Sequence, residues 1–239
     1  MPLPSKPRIP FRNQILTQLP DSDRDVLLAN TRTTLLPVGD TVARVSDAMW
    51  SVYLPETGVL SLVSEMTTGH QVGVGTVGRE GIVGLETLFG GTQYPYRVLV
   101  LAESSGYQIS TERFLRMYHR SEALRRLMIL HLGYRISELM ISAACNRLHS
   151  HRQRLACWLL VATDKAGHCS LHVTHDTMAQ LVGGPRHAVT VALNELRSKG
   201  AISHLRGQLD IIERPLLVEH ACECYDLHSR TGRSKTSRS

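Results

Sequence analysis

Residues 174–196, THDTMAQLVGGPRHAVTVALNEL, predict two short helices joined by a turn that contains two glycines. Either Gly183 or Gly184 can take a positive φ at little cost, and Pro185 suits the first position of a helix. Seven apolar residues recur at helical spacing and predict one buried face: Met178, Leu181, Val182, Val189, Ala192, Leu193 and Leu196. Two helices around such a turn form a helix-turn-helix, whose second helix can lie in the major groove of DNA.

The second of these helices carries a polar face that points away from the buried one. Its five residues are Arg186, His187, Thr190, Val191 and Asn194. An arginine can bind guanine in bidentate fashion, and the methyl groups of threonine and valine can contact the methyl group of thymine. These residues are therefore candidates for reading bases. An ordinary helical hairpin with an exposed polar face is the alternative at this point.

The next segment, AISHLRGQLDII at residues 201–212, predicts a short β-hairpin around Gly207. Such a hairpin after a helix-turn-helix is the wing of a winged helix. Arg206 lies at its predicted tip, either for contact with a DNA phosphate or as a solvated turn residue. Thr174 is predicted to cap the first helix, with Asp176 in its first turn, and joins the candidate DNA-contacting residues.

The composition of the chain favours an anionic partner and an intracellular setting. Its 239 residues carry a formal net charge of +6. The five cysteines, at positions 145, 157, 169, 222 and 224, are an odd number without the spacing of a disulfide framework. We expect no signal peptide, because MPLPSKPRIPF lacks an apolar core, and no stretch of membrane-spanning length. The expected protein is cytoplasmic, with reduced thiols and no membrane partner.

The first half of the chain predicts a β domain behind a short helical start. Residues 13–30 predict one or two short helices broken at Pro20, with Asp21 or Ser22 as a cap. Residues 31–110 consist of short β-branched stretches separated by Gly, Pro or Asp. This pattern is typical of an antiparallel sandwich or jelly roll.

A long amphipathic helix follows, opened by Ser121. Its apolar stripe advances in steps of three and four residues: Met128, Leu132, Ile136, Leu139 and Ala143. Ile129 and Met140 fit the same steps as alternatives to their neighbours. The stripe is longer than one small domain needs, so we predict that it pairs with the same helix of a second subunit. The alternative is that this helix packs on the β domain of its own chain.

Together these patterns predict an α+β chain with an N-terminal antiparallel β-roll, a long dimerisation helix and a C-terminal winged helix-turn-helix. The predicted boundaries are an irregular or short-helical N-terminus at 1–21, the β-roll at 22–120, the dimerisation helix at 121–147, the winged helix-turn-helix at 148–215, and a C-terminal helix with a basic tail at 216–239. The tail after Leu227 is expected to be disordered, because it contains no apolar residue.

Three groups of histidines and cysteines are candidate metal ligands. His70 is alone on a predicted hairpin, and we expect it to be a solvated turn residue. The second group runs irregularly across a loop and a helix start: His168, Cys169, His172 and His175. Cys222 and Cys224 lack a second pair for zinc, so packing of a C-terminal helix is expected. Redox or metal sensing by the last two groups stays open, but the prediction is no metal site and no cofactor.

Signatures of catalysis are missing from the sequence. A metal-dependent enzyme built on a β-roll needs several histidines on successive strands, and residues 31–110 contain only His70. Neither a Gly-x-Ser-x-Gly turn nor a phosphate-binding glycine loop is present. The chain is therefore not expected to be an enzyme.

Four stretches of the chain are similar to those of a known family. They are VGREGIVGLETLFGG at 77–91, SAACNRLHSHRQRLACWLL at 142–160, THDTMAQLVGGPRHAV at 174–189 and ACECY at 221–225. With the order of the parts, they resemble the CRP/FNR superfamily of bacterial transcription regulators over residues 22–227. The resemblance implies a homodimer that binds a palindromic operator in double-stranded DNA and acts with RNA polymerase. It also places Arg186 in the position of a guanine-binding arginine.

The resemblance further implies a cyclic-nucleotide-binding-like pocket in the β-roll, and here the chain departs from the relatives that bind cyclic AMP. Those relatives hold the nucleotide with a Gly-Glu-Leu run and a later Arg-Ser or Arg-Thr pair. The matching segments here are Gly81, Ile82, Val83 and Gly84, then Tyr94, Pro95, Tyr96 and Arg97. A cyclic phosphate buried without its arginine would be an unpaired charge. Cyclic AMP is therefore not the expected ligand, and any effector is an unidentified small molecule.

The sequence as a whole predicts a homodimeric, sequence-specific DNA-binding transcription regulator that is not controlled by cyclic AMP. The alternative is a sensory or protein-interaction module whose helix-turn-helix no longer reads DNA. A steep loss of DNA affinity with rising salt distinguishes the first from the second.

Overall fold

The computed structural model describes residues 11–233, without the side chains of residues 231–233. Its first part is a β-roll behind two short helices. The elements are α1 (Gln14–Gln18), α2 (Asp21–Leu28), β1 (Thr31–Leu36), β2 (Thr41–Ala43), β3 (Ser51–Pro55), β4 (Val59–Glu65), β5 (Gln71–Val77), β6 (Arg97–Ala102), β7 (Ser104–Ser110) and α3 (Thr111–Arg120). The strands form two antiparallel sheets, ordered β1-β7-β3 and β2-β6-β4-β5. A short 3-10 helix, Leu85–Phe89, lies between β5 and β6.

The second part is helical and carries a small sheet. Its elements are α4 (Glu122–Leu148), α5 (His151–Ala166), β8 (Ser170–His172), α6 (His175–Val182), α7 (Arg186–Ser198), β9 (Ile202–Leu205), β10 (Gln208–Ile211), α8 (Arg214–His220) and α9 (Cys224–Arg233). The sheet has the order β8-β10-β9. The predicted α+β fold class, with β-roll, long helix and winged helix-turn-helix, is confirmed. Strand β8 was not predicted, because Ser170–His172 is too short to show an alternating pattern.

Side-chain caps mark where the long helices begin. The Ser121 hydroxyl accepts a hydrogen bond from the backbone N–H of Leu124 at 3.0 Å, which opens α4. Ser150 and Gln153 form a reciprocal capping box at the start of α5. These caps separate two helices that the apolar pattern alone would run together.

The N-terminal helices break at Pro20, as predicted. Asn13 caps α1, and its side-chain amide also donates to the carbonyl oxygens of Pro55 and Gly81, at 2.9 Å each. The prediction of Asp21 or Ser22 as the cap of α2 is wrong, since Pro20 occupies that position without a side-chain hydrogen bond. The predicted irregular start lies outside the described residues for positions 1–10.

The C-terminal tail is more ordered than its composition indicates. Helix α9 continues through Arg233, so the predicted disorder is wrong for residues 228–233. Its N-terminal end is held by two buried residues, Cys222 and Cys224, which precede the tail in the sequence. Residues 234–239 lie outside the described residues.

Helix α4 has two apolar faces. One face packs on the β-roll through Leu124 and Met128, which are each 1% exposed. Met128 was predicted to lie in the dimer seam, and that prediction is wrong because Met128 is buried in its own chain. Ile136 and Leu139 are exposed farther along the side that faces the β-roll. Four further large apolar residues are exposed elsewhere on this helix: Ile129, Leu130, Met140 and Leu148.

By length and composition alone α4 could cross a membrane, and among residues 11–233 it is the one helix that meets this test. The expectation that no stretch reaches such a length is therefore wrong. Within the fold, the β-roll covers Leu124 and Met128, while other apolar residues of α4 stay at the surface of the single chain.

The β-roll and the winged helix share one apolar core. Val59 and Val63 of β4 and Leu101 of β6 belong to the same buried cluster as residues from α5, α6 and α7. Strand β5 approaches α6 so closely that a Cβ atom at Gly73 would lie 2.5 Å from the backbone oxygen of Leu181. The sensor and the helix-turn-helix are therefore in direct contact in this conformation.

Candidate nucleic-acid interface and sensor pocket

The helix-turn-helix is built from α6 and α7 as the sequence predicts. The Thr174 hydroxyl accepts a hydrogen bond from the backbone N–H of Thr177 at 3.1 Å and caps α6. Gly183 takes a φ of 70° at the turn, and Pro185 immediately precedes α7. All seven residues of the predicted buried face are buried: Met178, Leu181, Val182, Val189, Ala192, Leu193 and Leu196.

The predicted base-reading residues lie on the outer face of α7. Arg186, His187, Val191 and Asn194 are exposed, and Thr190 is half-buried. Val191 is 55% exposed, so its methyl groups are accessible to a partner.

Arg186 already has an intramolecular partner on α6. Its Nε atom lies 2.9 Å from Asp176 Oδ1, in a pair whose two side chains are 68% and 60% exposed. Such solvated pairs contribute little to stability. The guanidinium can therefore exchange this partner for a base edge at small cost.

Two histidines connect α6, α7 and the wing. His204 Nε2 lies 2.9 Å from the carbonyl oxygen of Val173, so this nitrogen carries a proton and donates it. His204 Nδ1 then accepts from His175 Nε2 at 3.1 Å, and His175 Nδ1 accepts from the Thr190 hydroxyl at 3.2 Å. An acceptor role for its Nδ1 atom fits the neutral form of His175.

The rings of His175 and His204 also stack on each other. Their centroids are 4.9 Å apart. Burial, followed by the neighbouring His204, lowers the pKa of His175 below its ordinary value. The sequence analysis placed His175 in a loose metal-like run with His168 and His172; the structure pairs it with His204 instead.

The wing is a two-residue hairpin between β9 and β10. Leu205 pairs with Gln208, which leaves Arg206 and Gly207 in the turn with φ values of 52° and 82°. Two positive φ values are the signature of the type I′ turn that tight hairpins favour. Arg206 is exposed at the tip, where the sequence predicted it.

The predicted sensor segments are filled by their own side chains. Ile82 and Val83 are buried, as are Tyr94 and Tyr96. The hydroxyl of Tyr94 donates to the carbonyl oxygen of Ser51 at 3.0 Å. Burial raises the pKa of Tyr94 to about 12, so this hydroxyl keeps its proton.

The remaining polar groups of these segments are also occupied. The Tyr96 hydroxyl donates to the Glu86 carboxylate, with its two oxygens at 2.8 and 2.7 Å. Arg97 points to Glu65 and Gln71, at 3.3 and 3.1 Å. Arg97 therefore forms part of the β4–β5–β6 surface and does not substitute for a phosphate-binding arginine.

A cavity of about 270 Å³ lies between the β-roll and α4. Of the eight predicted pocket residues, the structure brings Ile82 and Tyr96 to its wall. Glu86 and Arg135, which were not among the predicted residues, supply further polar groups. The other lining residues are apolar: Leu62, Val74, Leu85, Phe89, Leu132, Ile136 and Leu139. The wall of this cavity is therefore mostly apolar.

A buried ionic network joins the two domains. Lys165 of α5 is 8% exposed, and its ammonium group lies 2.7 Å from Glu138 of α4. The same group lies 3.2 Å from Glu80 and donates to the carbonyl oxygen of Thr76 at 2.8 Å. One side chain thus links the winged helix, the long helix and the β-roll.

Glu138 is ionised at the centre of this network. Burial alone would raise its pKa, but Lys165 and Arg135 outweigh burial and lower the pKa to about 2. The Tyr134 hydroxyl also donates to Glu138, at 2.7 Å. The sequence showed no sign of this network, because Glu80, Glu138 and Lys165 are far apart along the chain.

The other candidate metal ligands, His70 and the pair Cys222 and Cys224, lie in different surroundings. His70 is exposed in the β4–β5 turn, where the Thr68 hydroxyl lies 2.9 Å from its Nδ1 atom. Cys222 and Cys224 are buried beside Cys145 and Cys157, so a second pair of cysteines reaches them through the fold.

Two family models match the chain in the order of its domains. The cyclic nucleotide-binding domain matches residues 34–121, and the Crp-like helix-turn-helix domain matches residues 153–219. No curated protein sequence matches this chain. The fold and these matches define a two-domain transcription regulator with a cyclic-nucleotide-binding-like sensor. The chain belongs to the CRP/FNR superfamily of such regulators.

Solved structures of this superfamily have the same fold. The c-di-GMP-responsive global regulator CLP of Xanthomonas campestris is 17% identical with a TM-score of 0.64, over 80% of this chain and 98% of that one. FixK2 of Bradyrhizobium japonicum is 13% identical with a TM-score of 0.66, over 80% and 98%. A CRP/FNR-family transcriptional regulator of Thermus thermophilus is 20% identical with a TM-score of 0.62, over 83% and 98%.

Proposed function

We propose that this protein is a cytoplasmic homodimer that binds a palindromic operator in double-stranded DNA and regulates transcription together with RNA polymerase. The observation that carries the proposal is the exposed outer face of α7, with Arg186, His187, Val191 and Asn194, beside a wing tipped by Arg206. A helix of this kind reads base edges from the major groove, while wing and helix ends contact phosphates. In the dimer the two reading helices meet half-sites about 34 Å apart.

The homodimer is supported by the unpartnered face of α4. Ile129 is 64% exposed, Ile136 46% and Met140 69%, in steps of seven and four residues that keep them on one side of the helix. Apolar side chains in such a row pair along a helix–helix seam. Burial of this face between two copies of the chain removes the exposed apolar side chains of α4 from water.

Regulation without cyclic AMP is supported by the state of the predicted pocket. Tyr94 and Tyr96 fill the segment that would bind a cyclic phosphate, and Arg97 is engaged by Glu65. Arg135 lines the cavity, but its guanidinium pairs with Glu138 at 2.5 Å. A cyclic phosphate would have to compete with that carboxylate, which makes an apolar small molecule the better effector.

The direct test is recovery of a binding motif from genomic DNA. Purified protein is incubated with fragmented genomic DNA at about 0.15 M salt, with and without cyclic AMP, and the retained fragments are sequenced. We expect one palindromic motif, recovered equally in both samples. A motif that requires cyclic AMP would contradict the proposal that this pocket does not bind cyclic AMP. Retention that depends on salt but shows no motif would contradict sequence-specific reading.

A further inference from the structure

Four potential metal ligands converge at the junction of α4 and α9. Cys145 lies in the last turn of α4, and His149 follows that helix one turn later. Cys222 lies in the short connection between α8 and α9, and Cys224 is the first residue of α9. The ligand atoms of all four side chains lie within 4.8 Å of one another.

Two of the six separations match the edges of a metal-centred tetrahedron, and the others are no longer than 4.8 Å. Zinc–sulfur and zinc–nitrogen bonds of about 2.3 and 2.05 Å imply a sulfur–sulfur edge of about 3.8 Å and a sulfur–nitrogen edge of about 3.6 Å. Cys145 Sγ lies 3.5 Å from Cys222 Sγ, and Cys224 Sγ lies 3.6 Å from His149 Nδ1. The set therefore needs only a small adjustment to surround one ion.

The second nitrogen of His149 is oriented by a carboxylate. His149 Nε2 lies 3.2 Å from Glu223 Oε2, on the side of the ring opposite the sulfur atoms. A carboxylate that accepts from the far nitrogen fixes the tautomer in which Nδ1 is free to bind a metal. This arrangement is the usual support for a zinc-bound histidine, and it comes from the residue between the two cysteines.

Burial separates this cluster from an accidental surface group. Cys145, Cys222 and Cys224 are 7%, 4% and 3% exposed. Thiolate and imidazole ligands favour zinc-class ions over oxygen-seeking cations such as magnesium or calcium. The short separations fit one ion better than an iron–sulfur cluster, whose core holds its cysteines farther apart.

We propose that Cys145, His149, Cys222 and Cys224 bind one zinc-class divalent ion in tetrahedral geometry, with Glu223 as the positioning residue for His149. The ion fastens the start of α9 to the end of α4, where α9 also packs against α5. It thereby links the long helix to the winged helix at a point outside both the base-reading face and the sensor pocket. The proposal does not depend on DNA binding.

Metal content and a cobalt spectrum test the site in the full chain. Protein purified under reducing conditions without chelator should hold about one zinc-class ion per chain by mass spectrometry. Exchange of that ion for Co²⁺ should produce the strong visible absorption of tetrahedral cobalt, with a charge-transfer band from thiolate ligands. The proposal is overturned if the wild type, after incubation with excess Zn²⁺ or Co²⁺, holds well under one ion per chain. Iron with acid-labile sulfide in the purified protein would also overturn it.

Matched variants assign the ligands. Cys222→Ser should lose the ion, while Cys169→Ser, which changes an exposed cysteine outside the cluster, should keep it. Added Zn²⁺ should raise the thermal unfolding midpoint of the wild type and of Cys169→Ser, but not of Cys222→Ser. Equal metal content in Cys222→Ser and the wild type would overturn the assignment.

Two further variants leave the buried thiols of the site intact. Glu223→Gln removes an exposed carboxylate and should weaken Zn²⁺ binding about 10- to 100-fold, whereas the exposed Glu219→Gln should not. Cys157→Ser alters a neighbouring buried thiol of the same apolar cluster and should leave the ion and the charge-transfer intensity in place. Loss of the ion in Cys157→Ser together with retention in His149→Gln would overturn the ligand set.

Discussion

Arg186 is the residue on which sequence-specific reading depends most in the proposed complex. We expect Arg186→Ala to cost about 1–3 kcal/mol of binding free energy at one base-pair position of each half-site and to relax specificity there. The physical reason is that a bidentate arginine–guanine pair has no equivalent in alanine. Binding to a library of single-base operator variants measures the effect.

Arg116→Ala is a suitable control for that experiment. Arg116 is an exposed arginine on α3, in a surface pair with Glu112, so its removal changes the net charge equally. We expect its specificity profile to equal that of the wild type. A profile for Arg186→Ala that also equals the wild type would contradict the role of Arg186 in reading bases.

The paired histidines predict a pH dependence of stability. Because the pKa of His175 is lowered from 6.5 by burial, then by His204, the folded chain binds this proton less readily than the unfolded chain. The stabilisation from the neutral ring is complete above about pH 6.5 and is lost as the pH falls below that value. Denaturant unfolding between pH 5 and 8 should show this decline.

Burial also lowers the pKa values of His151, His220 and His228, which contribute to the same decline. The informative quantity is therefore a difference between variants. His175→Gln should be less stable at neutral pH but less sensitive to acid, since it no longer carries a group that must be kept neutral. His70→Gln, at an exposed turn, should retain the full decline. An identical pH dependence in His175→Gln and the wild type would refute the neutral pairing.

At the scale of elements, α4 determines the expected assembly. Ile136→Asp places a charge in the centre of the proposed seam on both subunits. Such an unpaired buried charge costs roughly 3–5 kcal/mol, so the dimer dissociation constant should rise more than about 100-fold. Sedimentation across a range of concentrations measures the change.

The control for that variant is Val26→Asp. Val26 is a similarly exposed apolar residue, 56% exposed, but it lies on α2. Introducing the same charge there should leave the association unchanged. Equal weakening by both substitutions would indicate a surface-charge effect and not a seam along α4.

At the scale of the whole molecule, the Lys165 network couples the domains. Lys165→Met leaves Glu138 with Arg135 as its remaining cation, and we expect a loss of about 2–3 kcal/mol of unfolding free energy. The double variant Lys165→Met with Glu138→Gln should recover part of that loss, because the buried charge is removed. Denaturant titration of the two single variants and the double variant measures the coupling. Strictly additive losses would contradict a direct pair.

The same network predicts the behaviour in acid. Burial opposes the ionised form of Glu138, but Lys165 and Arg135 lower its pKa to about 2, below its ordinary value of 4.5. Its contribution to stability is therefore full above about pH 4.5 and is lost as the pH falls toward 2. Glu138→Gln should remove that part of the acid dependence of stability. An acid profile of Glu138→Gln equal to that of the wild type would contradict this role of Glu138.

Local sequence features were sufficient wherever short-range geometry decides the structure. The helix-turn-helix and the wing were predicted correctly from the apolar spacing of residues 174–196, the Thr174 cap and the Arg206–Gly207 turn. Helix periods, caps and tight turns involve residues within a few positions of one another. The same short range left Met128 and Ile129 indistinguishable as seam residues. Burial of Met128 depends on which side of α4 faces the β-roll.

What the sequence by itself determined is the class of fold and the identity of the exposed face of α7. Only the tertiary structure decided that Cys145 and His149 meet Cys222 and Cys224, and that Lys165 meets Glu138 across a domain boundary. These groups are separated by up to 79 positions along the chain, and no local pattern records such distances. They converge because α9 returns to the end of α4 and α5 packs against the β-roll, so their chemistry depends on packing and not on spacing.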